Sequence, residues 1–304
     1  MKYLFKITLL FVVTLVIVSC SNHTDKKNTD SQNNEKAIFE LHPQFSSKFN
    51  VDATKKVEQL VRENKHTPFE NLQFQKLDRI EENSEVLVDV STPAKMNGNQ
   101  IYTYLKQRTM LVGSSYLCDR CPNIHLNNAS GFVISEDGVI ATNYHVIEVK
   151  DSFETSGLFA TDHKGNVYPV IKILAASQSN DLAILQVDTN GKKLKVLPFA
   201  EQELMGSDIY LMGNSFNNIF MMTKGIIGRT YLSERDGQAK IAVTAEFGQG
   251  ASGGPIVNEN GQIIGMVSAT TVHYTNGSKE YGDLQFISRE AIPVSVLNNY
   301  VNRK

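Results

Sequence analysis

From about residue 109 onward the chain breaks into short β-rich runs separated by turn chemistry, and this pattern limits the fold more than any other feature. Runs at 130–134 and 139–142 flank Glu136-Asp137-Gly138. Asp-Gly suits the positive backbone angles of a tight hairpin. Further runs fall at 167–174, 182–187, 208–212, 225–232 and 240–245. A last pair, 255–258 and 262–269, is joined through Glu259-Asn260-Gly261. Many short strands at this spacing predict an all-β, antiparallel sandwich or barrel.

The first hundred residues read differently. Val51, Val57, Leu60 and Val61 share a helical face, Pro68 ends that stretch, and a second, weaker helix is expected over 69–81. A strand-like Val86-Leu87-Val88 and a turn at Asn97-Gly98 follow. A closing helix is expected over 293–302, with Val294, Leu297 and Val301 on one side. The expected division is therefore 37–105 as a helical N-terminal extension and 106–304 as a β domain. Residues 20–36 are polar, lack the apolar side chains to build a core, and read as a tether.

Lys2 and Lys6 precede an apolar run from Leu9 to Val18, which ends at Ser19-Cys20. The run is too short to span a bilayer comfortably and has the layout of an export signal over 1–19. Ile17-Val18-Ser19-Cys20 resembles a bacterial lipobox, which implies cleavage before Cys20 and lipidation of its thiol; a plain signal peptide or an uncleaved anchor is the alternative. The expected location is the cell envelope, on a membrane surface that the chain does not span. The net charge is −2 and no Lys/Arg cluster stands out, which argues against nucleic acid as a partner.

Within the β region, Gly250-Ala251-Ser252-Gly253-Gly254-Pro255 sets a serine in a glycine turn just ahead of a strand. Glycine allows the chain to turn sharply there. The backbone N–H groups of Gly250 and Ser252 can then address one oxygen, as an oxyanion hole does. His145 ends one expected strand and Asp181 opens another. Each has a plain structural explanation alone: an edge histidine satisfied by backbone, a turn aspartate bonding its own chain. Together, in the order His, Asp, Ser and each at a strand edge, they supply a nucleophile, a base and an orienting group.

Residues 131–147, Gly-Phe-Val-Ile-Ser-Glu-Asp-Gly-Val-Ile-Ala-Thr-Asn-Tyr-His-Val-Ile, resemble the histidine segment of chymotrypsin-fold serine proteases of the bacterial Htr/Deg type. Asn180-Asp181-Leu182-Ala183-Ile184-Leu185 is similar to their aspartate segment. Gly250–Pro255 followed by Gly261-Gln262-Ile263-Ile264-Gly265 is similar to their serine segment. The resemblance covers roughly 105–300 and implies two six-stranded antiparallel β-barrels with the site in the cleft between them. It also implies roles: Ser252 attacks a carbonyl, His145 relays its proton, Asp181 holds the imidazole. No cofactor or metal is expected, and the substrate class is protein or peptide. Ala251 stands where trypsin-like digestive enzymes carry an aspartate that pairs with a newly cut N-terminus, so activation by that route is not expected. The chain also has no length for the PDZ domains that Htr/Deg enzymes usually carry, so it is read as lacking one.

Glu246 holds the position that sets charge preference in the trypsin-like branch. It either favours a basic substrate side chain or points to solvent. Ser268, Ala269 and Thr270 are expected to line the pocket wall. Phe132, Phe216, Phe220 and Phe247 are expected in the core or the pocket wall, and Met221-Met222 in a loop by the second barrel. Cys118 and Cys121 form a C-x-x-C with His125 four residues on. In an exported protein a disulfide is the leading reading, with a redox pair, a metal site short of a fourth ligand, and free thiols as alternatives. The functional expectation is a lipid-anchored serine endopeptidase of unknown oligomeric state. The alternatives are a catalytically inactive protease-fold binding lipoprotein, and a scaffold whose 37–105 region docks a partner.

Overall fold

Twelve of the strands close into two antiparallel barrels of six. A computed structural model describes residues 46–118, 121–149, 154–234, 236–277, 279–280 and 282–304, with Cys118 described by its backbone alone. The segment at 1–19, the tether and Cys20 therefore lie outside the described residues, as does the Cys118 side chain of the expected disulfide. Residues 44–304 are one compact unit.

The first barrel runs in the order β2-β3-β4-β7-β6-β5: β2 (Thr109–Cys118), β3 (Cys121–Ser135), β4 (Val139–Thr142), β5 (Glu154–Thr161), β6 (Val167–Ser177) and β7 (Leu182–Val187). The Asp-Gly turn joins β3 to β4 as expected, and β2 closes the barrel on β5. Met110, Val112, Val133, Ile140, Leu158 and Leu185 fill its interior. The second barrel is β10-β13-β12-β11-β8-β9: β8 (Asp208–Gly213), β9 (Met221–Leu232), β10 (Ala239–Val243), β11 (Pro255–Val257), β12 (Ile263–Tyr274) and β13 (Leu284–Pro293). Ile209, Leu211, Ile227, Ile241, Ile256 and Val267 fill it. This is the chymotrypsin type of all-β architecture. Met221 and Met222 open β9 rather than forming a loop.

Strands β2, β5 and β13 have no individual signature in the sequence. Gly113-Ser114-Ser115 interrupts the apolar pattern of β2, small residues dilute β5, and charged Arg289-Glu290 divides β13. Each is held by long pairings with a neighbour, which override weak local preference.

In the N-terminal part, α1 (Ser46–Arg62) buries Phe49, Ala53 and Val57, spaced four apart along one stripe. Val51, expected on that face, is exposed. Helix α2 (Phe69–Leu77) buries Phe69 and Leu72 and stops short of the expected residue 81. Val86-Leu87-Val88 yields the two-residue strand β1 (Leu87–Val88). Asn97-Gly98 is not a loop turn but the start of helix α3 (Gly98–Lys106). The Asn97 side chain accepts from Gln100 N–H, and the Gln100 side chain accepts from Asn97 N–H. This reciprocal box satisfies two N–H groups that a helix start leaves open. Ile101 and Leu105 of α3 are fully buried and share one apolar cluster with Phe132, Phe199, Met212, Met266 and Ile292 from the two barrels.

The closing helix is present but shorter than 293–302. It is α4 (Val294–Leu297), continued by a 3-10 turn over Asn298–Tyr300. The chain then extends into β14 (Asn302–Arg303), which pairs in parallel with β1. Val294, Leu297 and Val301 are buried as expected. Phe132 and Phe220 are also buried and Phe247 packs on the second barrel, but Phe216 is exposed.

Candidate active site

His145 sits in a 3-10 turn (Tyr144–Val146) directly after β4. Asp181 is the last residue before β7, which pairs with β4 in register Thr142↔Ala183, so adjacent strands deliver the two side chains to one edge. Asp181 adopts a left-handed φ of 57°. Aspartate is among the few side-chain-bearing residues that tolerate this region. The buried Asn143 side chain donates to the Asp181 carbonyl at 2.9 Å and ties the two turns together.

The Asp181 carboxylate accepts from His145 Nδ1 at 2.9 Å and from the His145 backbone N–H at 3.2 Å. A carboxylate partner makes Nδ1 the donor, which leaves Nε2 as the acceptor of a neutral ring. The other carboxylate oxygen accepts from Ser268 Oγ at 2.9 Å. Ser268 was expected in the pocket wall; its hydroxyl is turned to the aspartate instead, and it carries the carboxylate's link to the second barrel. Ala269 is half-buried and Thr270 is exposed beside it.

The serine turn is built by close packing. Gly250 and Gly253 have φ of 96° and 82°. A Cβ on Gly250 would lie 2.5 Å from the Asn214 carbonyl, and one on Gly253 would strike the Ser130 carbonyl and Thr142 Oγ1. Only glycine fits at both positions. Gly253 N–H donates to Val267 at 3.0 Å, one residue before Ser268. Gly253 thus touches Thr142, three residues from His145, while Val267 leads to the serine that holds Asp181. These contacts gather the Ser252, His145 and Asp181 segments at one place between the barrels.

Ser130, on β3, was not singled out by the sequence. Its N–H donates to the Ser252 carbonyl and its hydroxyl to the Gly250 carbonyl, both at 2.8 Å. Asn214, at the end of β8, fixes that hydroxyl by donating from its N–H and its side chain, both at 3.0 Å. The Asn214 amide also donates to the Met110 and Ala129 carbonyls and accepts from Phe220 N–H. Ala251 is wholly buried and its N–H donates to Gly248. Among the described residues, Ser252 Oγ makes no hydrogen bond, and the Gly250 and Ser252 N–H groups are both without a protein acceptor.

Behind the site, Gln73 of α2 donates to the Ile147 carbonyl at 2.9 Å, and Lys76 lies 5.0 Å from the Tyr144 ring centre. Burial holds the Lys76 ammonium below the usual lysine range. Glu81 accepts from Ser177 Oγ at 2.8 Å and from Tyr300 Oη at 2.7 Å, and Tyr300 Oη accepts from Asn180 at 2.8 Å. Burial pushes the Tyr300 phenol up. Both turns that carry His145 and Asp181 are therefore braced by residues outside the barrel strands: Gln73 and Lys76 of α2, Glu81 and Tyr300. No group of three or more His, Cys, Asp or Glu among the described residues is arranged to hold a metal ion. At the tip of the β2–β3 hairpin, Cys121 Sγ lies 3.0 Å from His125 Nε2.

Two closed antiparallel barrels, with the serine turn and the His-Asp pair gathered between them, define a chymotrypsin-fold domain. Residues 129–266 match the trypsin-like peptidase domain, and the chain is similar to proteases of the Deg type. It is 34% identical over 145 residues to a probable periplasmic serine endoprotease, DegP-like, of Chlamydia trachomatis, covering 46% of this chain and 28% of that protein. It is 28% identical over 198 residues to the chloroplastic protease Do-like 1 of Arabidopsis thaliana (59% and 44% covered). It is 26% identical over 185 residues to the serine endoprotease DegS of Haemophilus influenzae (59% and 51%). The chain thus spans between 28% and 51% of the length of these relatives. A crystal structure of the serine endoprotease from Yersinia pestis superposes with a TM-score of 0.49 at 22% identity, covering 67% of this chain and 65% of that one.

Proposed function

We propose that this protein is a serine endopeptidase that cleaves peptide bonds through an acyl-enzyme. The observation that carries the proposal is the Asp181 carboxylate holding His145 Nδ1 at 2.9 Å, with two N–H groups that have no protein acceptor on the neighbouring serine turn. In this reading Ser252 Oγ attacks the substrate carbonyl while His145 Nε2 takes its proton. The developing oxyanion rests on Gly250 and Ser252 N–H. Asp181 stabilises the imidazolium, which returns the proton to the leaving amine. The Ser252 hydroxyl has not yet closed onto His145; such bonds often tighten only when substrate is bound.

The test is labelling by a fluorophosphonate probe beside peptide turnover. The wild type is expected to label and Ser252→Ala is not. Asp181→Asn, which spoils the tautomer, should lower turnover by about 10⁴-fold. Labelling that survives Ser252→Ala, or near-normal turnover in Asp181→Asn, rejects the assignment.

The same reading places the protein in the cell envelope, with 1–19 as a lipoprotein signal, 20–36 as a tether from lipidated Cys20, 37–105 as an extension and 106–304 as the protease domain. The sequence around Ile17-Val18-Ser19-Cys20 supports it. Among the described residues no helix is long and apolar enough to cross a membrane. A Cys20→Ala chain that still fractionates with the membrane would overturn the anchor.

A further inference from the structure

Of the two readings the sequence left open for Glu246, a charge that favours a basic substrate side chain or a residue pointing to solvent, its exposed side chain fits the second. Two segments adjoin the serine turn: the one from Glu246 to Gly250, which leads into it, and residues 268–270 of β12, which follow the Val267 carbonyl that accepts from Gly253 N–H. Arg289 is tied to both. It is the cross-strand partner of Thr270 in the β12–β13 pair, so the two side chains leave the same face of the sheet. Its Nη2 lies 3.1 Å from Glu246 Oε1. The two partners are unequal. The Glu246 side chain is 77% exposed, whereas that of Arg289 is 17% exposed. Arg289 Nε is buried without a hydrogen-bond partner. The adjacent Glu290 accepts from Thr271 Oγ1 at 3.3 Å, beside Tyr231, and offers Arg289 nothing.

A guanidinium stays charged at any working pH and presents its N–H donors in a planar fork that fits a carboxylate at two points. One solvent-exposed glutamate satisfies one arm of that fork and is screened by water. A buried donor left unpaired costs free energy that any ligand able to accept from it recovers. The Glu246–Arg289 pair therefore holds an under-satisfied cation next to the segments that adjoin the serine turn, while its carboxylate faces solvent.

We propose that Arg289 makes the site select substrates with an acidic side chain, aspartate or glutamate, immediately before the scissile bond. This rests on the endopeptidase reading above. An entering carboxylate takes the arm of the guanidinium fork that Glu246 leaves unpaired, and Glu246 remains where it is. A lysine or arginine meets like charge, and an aliphatic side chain leaves Nε unpaired.

The experiment uses the full chain and peptides that differ only in that residue: Glu, Asp, Gln, Leu or Lys. The Glu peptide is expected to exceed the Gln peptide, which has the same size without charge, by about tenfold or more in kcat/KM. Lys should be slowest. Arg289→Gln should abolish the preference. Glu246→Gln removes the competing exposed carboxylate while leaving Arg289 in place, and should raise the Glu-to-Gln ratio even if the Arg289 variant does not fold. A wild type that cleaves Gln as well as Glu, or a ratio that is unchanged or falls in Glu246→Gln, overturns the proposal. Fluorophosphonate labelling of the same samples separates the failures. Ser252-dependent labelling with no acidic preference defeats the specificity alone; absence of labelling defeats the endopeptidase reading and the specificity with it.

Discussion

Ser130 is the residue through which the first barrel controls the serine turn. Its two hydrogen bonds fix the Gly250 and Ser252 carbonyls, and with them the peptide planes of Ala251 N–H and Gly253 N–H, which alternate along the turn with the planes of Gly250 N–H and Ser252 N–H. With alanine at 251 there is no carboxylate to hold this loop, so Ser130 and its orienting partner Asn214 are the groups positioned to hold it. Removing an oxyanion donor costs about 10²–10³ in turnover. Ser130→Ala leaves both donors in place but slackens one peptide, so a fall of about tenfold to a hundredfold in kcat with KM little changed is expected. The measurement is steady-state turnover normalised to active sites titrated with the fluorophosphonate. If the loss lies only in the titratable fraction, Ser130 serves folding rather than positioning.

The elements differ in how much of them the sequence discloses, and the reasons are physical. The two hairpins with Asp-Gly and Asn-Gly turns could be read because the turn demands those residues. His145 and Asp181 could be read because they interrupt strong apolar strands at their ends. Strand β13 could not, because its register comes from β10 and β12 and its charged Arg289-Glu290 breaks the apolar pattern. Helix α3 was hidden because Asn-Gly serves equally as a turn and as a helix start, and only the reciprocal Gln100 bond distinguishes them. Ser130 and Asn214 were invisible because a small polar residue announces nothing until its partners, more than eighty positions away, are known.

The segment after α2 has a role in the site that its composition did not suggest. Glu81 gathers Ser177, Ser179 and Tyr300 at the turn that ends in Asp181, and its own N–H donates to the Ala176 carbonyl. A carboxylate can accept all of these bonds at once. Glu81→Ala should therefore loosen the Asp181 turn, with about a tenfold or greater loss of turnover and a loss of about 1–3 kcal/mol in stability from the unpaired hydroxyls. Turnover per titrated site, together with a denaturant melt, checks it. Unchanged turnover alongside a lower melt would mean that the brace is structural only.

At the scale of the whole molecule, the extension and the barrels are not separable layers. Phe49, Val88, Ile101 and Leu105 lie in the same apolar cluster as Phe132 and Phe199, and Val294, Leu297 and Val301 join it from the other end. Strands β1 and β14 close this arrangement: Asn302 N–H donates to the Val86 carbonyl at 2.8 Å and Lys304 N–H to the Val88 carbonyl at 3.2 Å. Because β1 and β14 pair beside a core shared by both barrels, residues 46–304 should unfold in one transition. Removing 302–304 deletes at least these two hydrogen bonds, each with a net worth of about 0.5–1.5 kcal/mol. For a unit of this size that is a fall of roughly 2–10 °C in Tm. Activity should fall with it, because Tyr300, two residues before the deleted stretch, bonds Glu81 and Asn180 beside Asp181. Calorimetry of the truncated chain decides the matter. One transition shifted downward fits a single cooperative unit; two transitions, with the barrels melting apart from the extension, would show that the latch joins parts that fold independently.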